Sequence, residues 1–301
     1  MNMTLQQLKY VVTVAECGNI TEAAKQLFVS QPTVTSAIHD LEKEMQIVIF
    51  VRTNKGVILS EDGERFLGHA RQVLEQVDLI EGIYKNDVVS KPHFAVSCQH
   101  YSFAVNAFVD VIRRFDAYQY DFTIREEQTH EIIDDVTNLK SELGVIYLSS
   151  KNTEVLSKML KRNELEFTEL FTATPHVFIC DSHPLASKKS ITMEELQDYP
   201  YLTYEQGEYN SQYFSEEFVS TLDSRKNIRV RDRATLFNLI IGLNGYTVCS
   251  GVISAELNGR NIISKPLDVK EYMRIGIITR KGVVLSRYAR EYIEALKAHC
   301  M

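Results

Sequence analysis

Residues 23–41 run Ala23-Ala24-Lys25-Gln26-Leu27-Phe28-Val29-Ser30-Gln31-Pro32-Thr33-Val34-Thr35-Ser36-Ala37-Ile38-His39-Asp40-Leu41. Two helices joined by a tight turn account for this pattern. The first, started by Thr21 and running from Glu22 to Phe28, turns Ala23, Ala24 and Leu27 inward, and the small alanines permit close helix contact. Val29 and Ser30 form the connection. Ser30 is an N-cap residue, and Pro32 sits in the first turn, where a missing N–H costs nothing. The second helix, Pro32 to Glu44, buries Val34, Ile38 and Leu41. Its opposite face carries Gln31, Thr33, Thr35, Ser36 and His39, short polar groups suited to base edges in a major groove. This is the pattern of a helix-turn-helix.

Outward from that unit the same logic holds. Thr4 caps an upstream helix with Leu5, Leu8, Val11, Val12 and Ala15 on its apolar face, and Gly18-Asn19 ends it. Downstream come two β-like runs, Ile47 to Val51 and Val57 to Leu59. Between them lies the polar turn Arg52-Thr53-Asn54-Lys55-Gly56, a hairpin wing whose Arg52 and Lys55 can meet phosphates or a narrow minor groove. Residues 1–59 thus read as a winged helix-turn-helix.

In these residues the chain resembles the LysR-type transcriptional regulators. The matching strings are Leu5-x-x-Leu8-x-Tyr10-Val11, Ala23-Ala24-x-x-Leu27-x-Val29-Ser30-Gln31-Pro32, Ile38-x-x-Leu41-Glu42, Phe50-x-Arg52-Thr53-x-x-Gly56-x-x-Leu59-Ser60, and Gly63. The resemblance implies a recognition helix from Gln31 onward and a wing from Arg52 onward. It implies base or phosphate contacts from Gln31, Pro32, Thr35, Ser36, Arg52 and Lys55, and Thr33, His39 and Thr53 join them as candidates on the same surfaces. Ser36 and His39 stand where members often carry Arg or a longer polar side chain. Binding then leans on the wing or on bending of the DNA site.

Ser60 begins a long helix with Glu61, Asp62 and Glu64 in its first turn, where the helix dipole favours acids. Phe66, Ala70, Val73, Val77, Ile80 and Tyr84 follow at heptad spacing. Residues 60–87 therefore read as a linker helix that pairs two copies, because one head alone covers too little DNA for high specificity. Ser90-Lys91-Pro92 breaks the pattern.

Residues 93–301 read as an effector-binding domain with strands alternating with helices, an α/β arrangement with a mostly parallel sheet. Strands are expected at 94–98, 121–126 and 143–148, with helices at 102–115 (Val105, Phe108, Val109 and Ile112 inward) and 131–140. A second series has strands near 176–180, 201–204, 228–231 and 247–249 and helices near 193–197, 210–222 and 235–243. The chain closes with a strand at 273–279 and a helix at 286–299. His183-Pro184-Leu185-Ala186, Leu196-x-x-Tyr199-Pro200 and Gly242-Leu243-x-Gly245-Tyr246 also resemble the LysR effector domain, which is similar in fold to periplasmic binding proteins. The resemblance implies subdomain I at about 93–165 and 267–301 and subdomain II at about 166–266, with ligand between them at the carboxyl ends of the strands. Gln99 to Ser102, Gln128 to His130, Tyr147, and Thr203 to Glu205 fall there. His100, Tyr101, Ser102, Thr129, Thr203 and Tyr204 are the effector contacts that the family pattern selects. Hydroxyls beside a helix N-terminus favour a small anionic or zwitterionic metabolite.

The bulk properties bound the remaining classes. The 301 residues accommodate several domains, and the formal net charge is −7. Residues 1–58 balance Lys9, Lys25, Lys43, Arg52 and Lys55 against Glu16, Glu22, Asp40, Glu42 and Glu44, so the DNA reading rests on pattern and not on charge. The five cysteines are odd in number and widely spaced, which argues for a reducing cytoplasm and against a disulfide framework or a zinc site. Cys98 reads as a buried structural thiol rather than a redox sensor. No apolar run is long enough for a membrane span, and the N-terminus has no secretory pattern. G-x-S-x-G, Walker A and G-x-G-x-x-G fingerprints are missing and the histidines form no metal box, so no enzyme, cofactor or metal is expected. The expected partners are double-stranded promoter DNA, further copies of the chain as homodimer or homotetramer, and RNA polymerase, with no membrane. The alternative is a solute-binding or enzymatic α/β protein with an accessory helical head.

Overall fold

The computed structural model describes residues 3–54, 56–84, 92–115, 119–207, 213–217, 225–253 and 258–300. It divides into two compact units: one comprises residues 1–92 with 138–140, the other 93–137 with 141–301.

The first unit opens with α1 (Leu5–Cys17). Thr4 and Gln7 cap it reciprocally: the Thr4 hydroxyl accepts from the Gln7 N–H at 3.2 Å and the Gln7 amide oxygen accepts from the Thr4 N–H at 2.9 Å. Helix α2 (Ile20–Gln26) starts earlier than the sequence pattern suggests. The Asn19 carboxamide oxygen accepts from the N–H groups of Thr21 (2.8 Å) and Glu22 (3.2 Å), so Asn19 and not Thr21 is the cap. Phe28 lies beyond the helix in a left-handed conformation, φ +55°, and is 96% exposed. Helix α3 (Gln31–Met45) is capped by Ser30, whose hydroxyl accepts from the Thr33 N–H at 3.3 Å. Its buried face is Val34, Ile38 and Leu41, packed with Tyr10, Val11, Val14, Ala23 and Ala24. On α1 the buried face is Leu8, Tyr10, Val11 and Val14, whereas Leu5 is exposed.

Strands β1 (Phe50–Thr53) and β2 (Gly56–Leu59) pair antiparallel as the wing. The first strand begins later than expected, because Ile49 is drawn into the core and residues 47–49 form the connection. Helix α4 (Glu61–Tyr84) is capped by Ser60, whose hydroxyl accepts from the Gly63 N–H at 2.9 Å. Gly63 is required there: a Cβ would stand 2.1 Å from the Ile49 carbonyl oxygen. Leu67 of α4 is buried in the core of the head and Ala70 is also buried, while Val73 and Ile80 are exposed. The Tyr84 side chain, Lys55 and the 85–91 stretch lie outside the described residues.

The second unit holds a five-stranded sheet in the order β4-β3-β5-β12-β6. It comprises β3 (His93–Cys98), β4 (Asp121–Glu126), β5 (Leu143–Leu148), β6 (Leu165–Ala173) and β12 (Met273–Arg280). Strands β4, β3 and β5 run parallel; β12 is antiparallel to β5 and β6. Helices α5 (Ser102–Phe115) and a final α9 (Arg287–Cys300) share the core with β3 through Phe94, Phe103, Phe108, Val111, Tyr288 and Tyr292. Helices α6 (Thr129–Thr137) and α7 (Thr153–Arg162) pack in a separate core with Ile146 and Ile278. With cover on both faces, β5 is buried along its whole length, as a continuous apolar strand should be.

The smaller subdomain has a three-stranded antiparallel sheet in the order β10-β7-β11, from β7 (His176–Cys180), β10 (Thr247–Cys249) and β11 (Ile262–Pro266). The parallel pair β8 (Tyr201–Tyr204) and β9 (Asn227–Val230) joins it through a Tyr201–Tyr246 bridge. Helix α8 (Arg233–Leu243) packs against Phe178, Leu202, Val230 and Ile262 through Leu236 and Ile240.

Three expectations change. The subdomain boundary falls after β6 and not near 165, because β6 pairs with β12 along its length. The buried face of α5 is Phe103, Ala104, Ala107, Phe108 and Val111; Val105, Val109 and Ile112 are only half-buried. Packing against both the sheet and α9 hides a wider stripe than a one-sided pattern indicates. Residues 193–198 form turns instead of a helix. The expected helix at 210–222 lies largely outside the described residues.

Candidate DNA-binding face and effector cleft

On α3 the side opposite the buried Val34, Ile38 and Leu41 is open. Gln31, Pro32, Thr33, Ser36 and His39 are exposed and Thr35 is half-buried. Within this face the Gln31 amide donates to Thr35 Oγ1 at 2.9 Å. On the wing, Arg52 and Thr53 are exposed, and the Thr53 hydroxyl donates to the Gly56 carbonyl at 3.2 Å.

Two anchors fix the wing beside the helix. Glu42, on α3, accepts from the backbone N–H groups of Ile49 (2.7 Å) and Phe50 (3.1 Å). The Val57 N–H donates to the Gly18 carbonyl at 2.9 Å, and a Cβ on Gly56 would lie 2.3 Å from that oxygen. The anchoring role of Glu42 was not legible from residue type, since a carboxylate late in a helix usually faces water.

The second site lies where β3, β4 and β5 end, facing the smaller subdomain. Gln99 is its hub. Its amide N–H donates to Thr129 Oγ1 at 2.7 Å, and its oxygen accepts from the Tyr101 hydroxyl and the Tyr147 backbone N–H, both at 3.1 Å. Other bonds cross between subdomains. The Thr129 hydroxyl donates to the Phe214 carbonyl (2.8 Å), the Tyr147 hydroxyl to the Ser215 carbonyl (2.9 Å) and the Ser102 hydroxyl to the Val252 carbonyl (3.4 Å). The Thr129 N–H donates to the Gln206 amide oxygen at 3.3 Å. Arg233 and Glu126 form an ion pair at 2.9 Å.

His100 makes the densest set of contacts. Its Nδ1 lies 2.9 Å from Glu216 Oε2, its Nε2 3.1 Å from the Arg231 carbonyl, and its ring stacks on Tyr204 at 3.8 Å and 6°. Burial opposes the imidazolium, yet the Glu216 carboxylate, by charge and hydrogen bond, and Glu126 lift the His100 pKa above its ordinary value. Beside it, burial and the Glu216 charge push Glu217 up to about 8, although the Tyr204 N–H and the Ser215 hydroxyl both donate to it.

The structure therefore brings together His100, Tyr101, Ser102, Thr129 and Tyr204. Thr203 is half-buried on β8 and makes none of these hydrogen bonds. Sequence reasoning missed Gln206, Glu216, Glu217, Arg231 and Arg233. In sequence the Glu216-Glu217 pair resembles any solvated acidic face; only the fold turns it inward.

A winged helix-turn-helix joined in one chain to a two-subdomain unit with a polar cleft defines a ligand-responsive DNA-binding transcription regulator. Residues 5–64 match the model of the bacterial regulatory helix-turn-helix protein, lysR family, and residues 98–301 match the LysR substrate binding domain. The chain belongs to the LysR family. It is 26% identical over 298 residues to the HTH-type transcriptional regulator YvbU of Bacillus subtilis (strain 168), covering 98% of each. It is 22% identical over 302 residues to the dual regulator OxyR of Escherichia coli (strain K12), covering 98% of this chain and 95% of that one. In fold it is similar to a full-length OxyR variant of Pseudomonas aeruginosa, with TM-score 0.64, 23% identity and 98% of both chains covered. The LysR family regulator CbnR gives TM-score 0.53 at 18% identity, covering 99% of this chain and 100% of that one. Among the described residues no helix is long and apolar enough to cross a membrane, and no group of His, Cys, Asp and Glu is arranged to hold a metal ion.

Proposed function

We propose that α3 enters the major groove of promoter DNA through Gln31, Pro32, Thr33, Thr35, Ser36 and His39, while Arg52, Thr53 and Lys55 of the wing engage the backbone. The observation that carries this reading is the two-sidedness of α3: one face fully buried, the other open and lined by short polar groups. Two or four copies assemble on one site, paired through α4, whose Val73 and Ile80 present an apolar stripe outside the head core. A small molecule between the subdomains, contacted by His100, Tyr101, Ser102, Thr129 and Tyr204, changes their angle and so the DNA bend and the access of RNA polymerase.

A ligand, not thiol oxidation, is the trigger we infer. One E. coli relative is called a hydrogen peroxide-inducible genes activator. Here burial pushes the Cys98 and Cys249 thiols well above their ordinary range, away from the reactive thiolate. Cys17, Cys98, Cys180 and Cys249 are free, which suits work in a reducing cytoplasm.

The test is a gel shift with DNA from upstream of the chain's own coding sequence. Retarded bands that persist against excess unrelated DNA are expected. Folded protein giving no band, or one erased equally by any DNA, contradicts the reading.

A further inference from the structure

We propose that Glu216 is a tethered occupant of the effector site and that the effector is a small carboxylate that takes its place on His100 and Gln206. This rests on the cleft being the effector site.

The inference starts from what the cleft already holds. At the end of β3, where α5 begins, N–H donors converge on one carboxylate. The His100 backbone N–H donates to Glu216 Oε2 at 3.0 Å. His100 Nδ1 lies 3.0 and 2.9 Å from Oε1 and Oε2. The Gln206 amide donates to Oε1 at 3.3 Å. A protein cradles an anion in this way, and the chain supplies the anion itself.

The geometry also fixes the charge that the site accepts. A carbonyl oxygen can only accept, so His100 Nε2, facing the Arg231 carbonyl, carries a proton. Nδ1 then either donates to a carboxylate as part of an imidazolium, or accepts from a protonated Glu216. In both forms the pair is neutral overall. The His100 and Glu216 side chains are only 4% and 5% exposed, so a charge left alone here would be uncompensated. A free carboxylate can replace Glu216 without breaking that balance. An amine cannot, because it would place a cation against donors.

Exchange would have a mechanical consequence. His100 belongs to the larger subdomain and Glu216 to the smaller, so their contact spans the cleft. The neighbouring Phe214 and Ser215 carbonyls accept from Thr129 and Tyr147 across the same gap. A free carboxylate keeps His100 satisfied while severing its link to the other subdomain. Ligand binding thereby releases a latch, and the differential contact needed to shift the subdomain angle is built in.

The experiment is chemical rescue on the full chain. Glu216→Ala removes the occupant, and sodium acetate, with sodium chloride as the ionic-strength control, serves as the probe in thermal melts. Acetate is expected to raise the midpoint of Glu216→Ala saturably and by more than that of wild type at the same concentration. Methylamine is expected to give no rise, and a His100→Phe/Glu216→Ala double variant should lose the acetate response. Equal acetate shifts in wild type and variant, an equal shift in the double variant, or an equal response to methylamine overturns the proposal. If Glu216→Ala does not fold, Glu216→Gln keeps the shape with a weaker, neutral occupant. Acetate should then reach half-effect at a lower concentration than in wild type, and an unchanged concentration overturns the idea. Wild-type binding to promoter DNA, measured on the same preparation, tests the regulator reading separately. Normal DNA binding with no acetate selectivity sinks this inference alone.

Discussion

The recognition face of α3 and the cleft around His100 are both lined by polar side chains, yet they are in opposite conditions. Gln31, Pro32, Thr33, Ser36 and His39 stand in solvent. In the cleft, Gln99, Thr129, Gln206 and Glu216 are buried and bonded in a chain from one to the next, and the buried Ser102 donates to the Val252 carbonyl. The difference follows from the size of the partner. A DNA duplex brings its own hydrated surface to a preformed face and needs no gap in the protein. A small molecule has to enter, and polar groups without it would lie buried and unsatisfied unless the chain satisfied them itself. The open face needs no rearrangement to meet a duplex; under the proposed reading the closed cleft would admit only a ligand that outcompetes the protein's own groups.

The largest expected effect breaks the comparison at the head. Leu41 is fully buried beneath the recognition face, so Leu41→Ala should cost the head about 2–5 kcal/mol. Hydrogen exchange at amides of α1 to α3 should accelerate while β3 and β5 keep their protection. Uniform acceleration would show that the two units do not unfold separately.

The next effect sharpens the contrast at the cleft, where buried acids make stability depend on pH. Glu217 titrates at about 8 in the folded protein, against an ordinary 4.5. The folded state therefore holds this proton more tightly than the unfolded chain. That contribution is complete below the ordinary value and is lost as pH rises through about 8. His100, lifted by Glu216 although burial opposes it, has the same sign, and so does Glu126, raised by burial despite Arg233 and His100. The melting midpoint of the effector unit should fall between pH 6 and pH 9, and Glu217→Gln should flatten that fall. A midpoint that rises over this range, or a variant with the wild-type slope, contradicts the assignment.

These two regions also differ in how far the sequence disclosed them. In the head the signals that define the helices are local. Ser30 caps from three residues before Thr33, and Val34, Ile38 and Leu41 follow helical spacing. Local periodicity and capping chemistry are what a sequence displays, so the helices of the head are legible in it, whereas the Asn19 cap, the exposure of Leu5 and Phe28, the start of β1 and the Glu42 anchor are not. In the effector unit His100 meets Glu216 across 116 residues, and Thr129 meets Phe214 across 85. The strand ends still located one wall of the cleft, because loops after parallel strands converge by topology. The other wall depends on how the smaller subdomain folds back. The long stretch of β6 is hard to read for a related reason: it is buried only at its two ends, is irregular between them, and lacks the continuous apolar run of β5.

The smallest effect concerns that local chemistry. Ser30→Ala removes the cap of the recognition helix and should cost the head about 1 kcal/mol, seen as a modest drop in its melting midpoint. A loss as large as that of Leu41→Ala would mean that Ser30 does more than cap.

The most direct test of the open face is the salt dependence of DNA binding, measured by fluorescence anisotropy on wild type and Arg52→Ala. The logarithm of the binding constant should fall linearly with the logarithm of salt concentration, by about 0.9 per phosphate neutralised. Arg52→Ala should weaken binding about equally on all DNA sequences and make the slope shallower by about 1. Binding that ignores salt, or a variant that keeps both the affinity and the slope of wild type, would contradict the account of how this protein reads DNA.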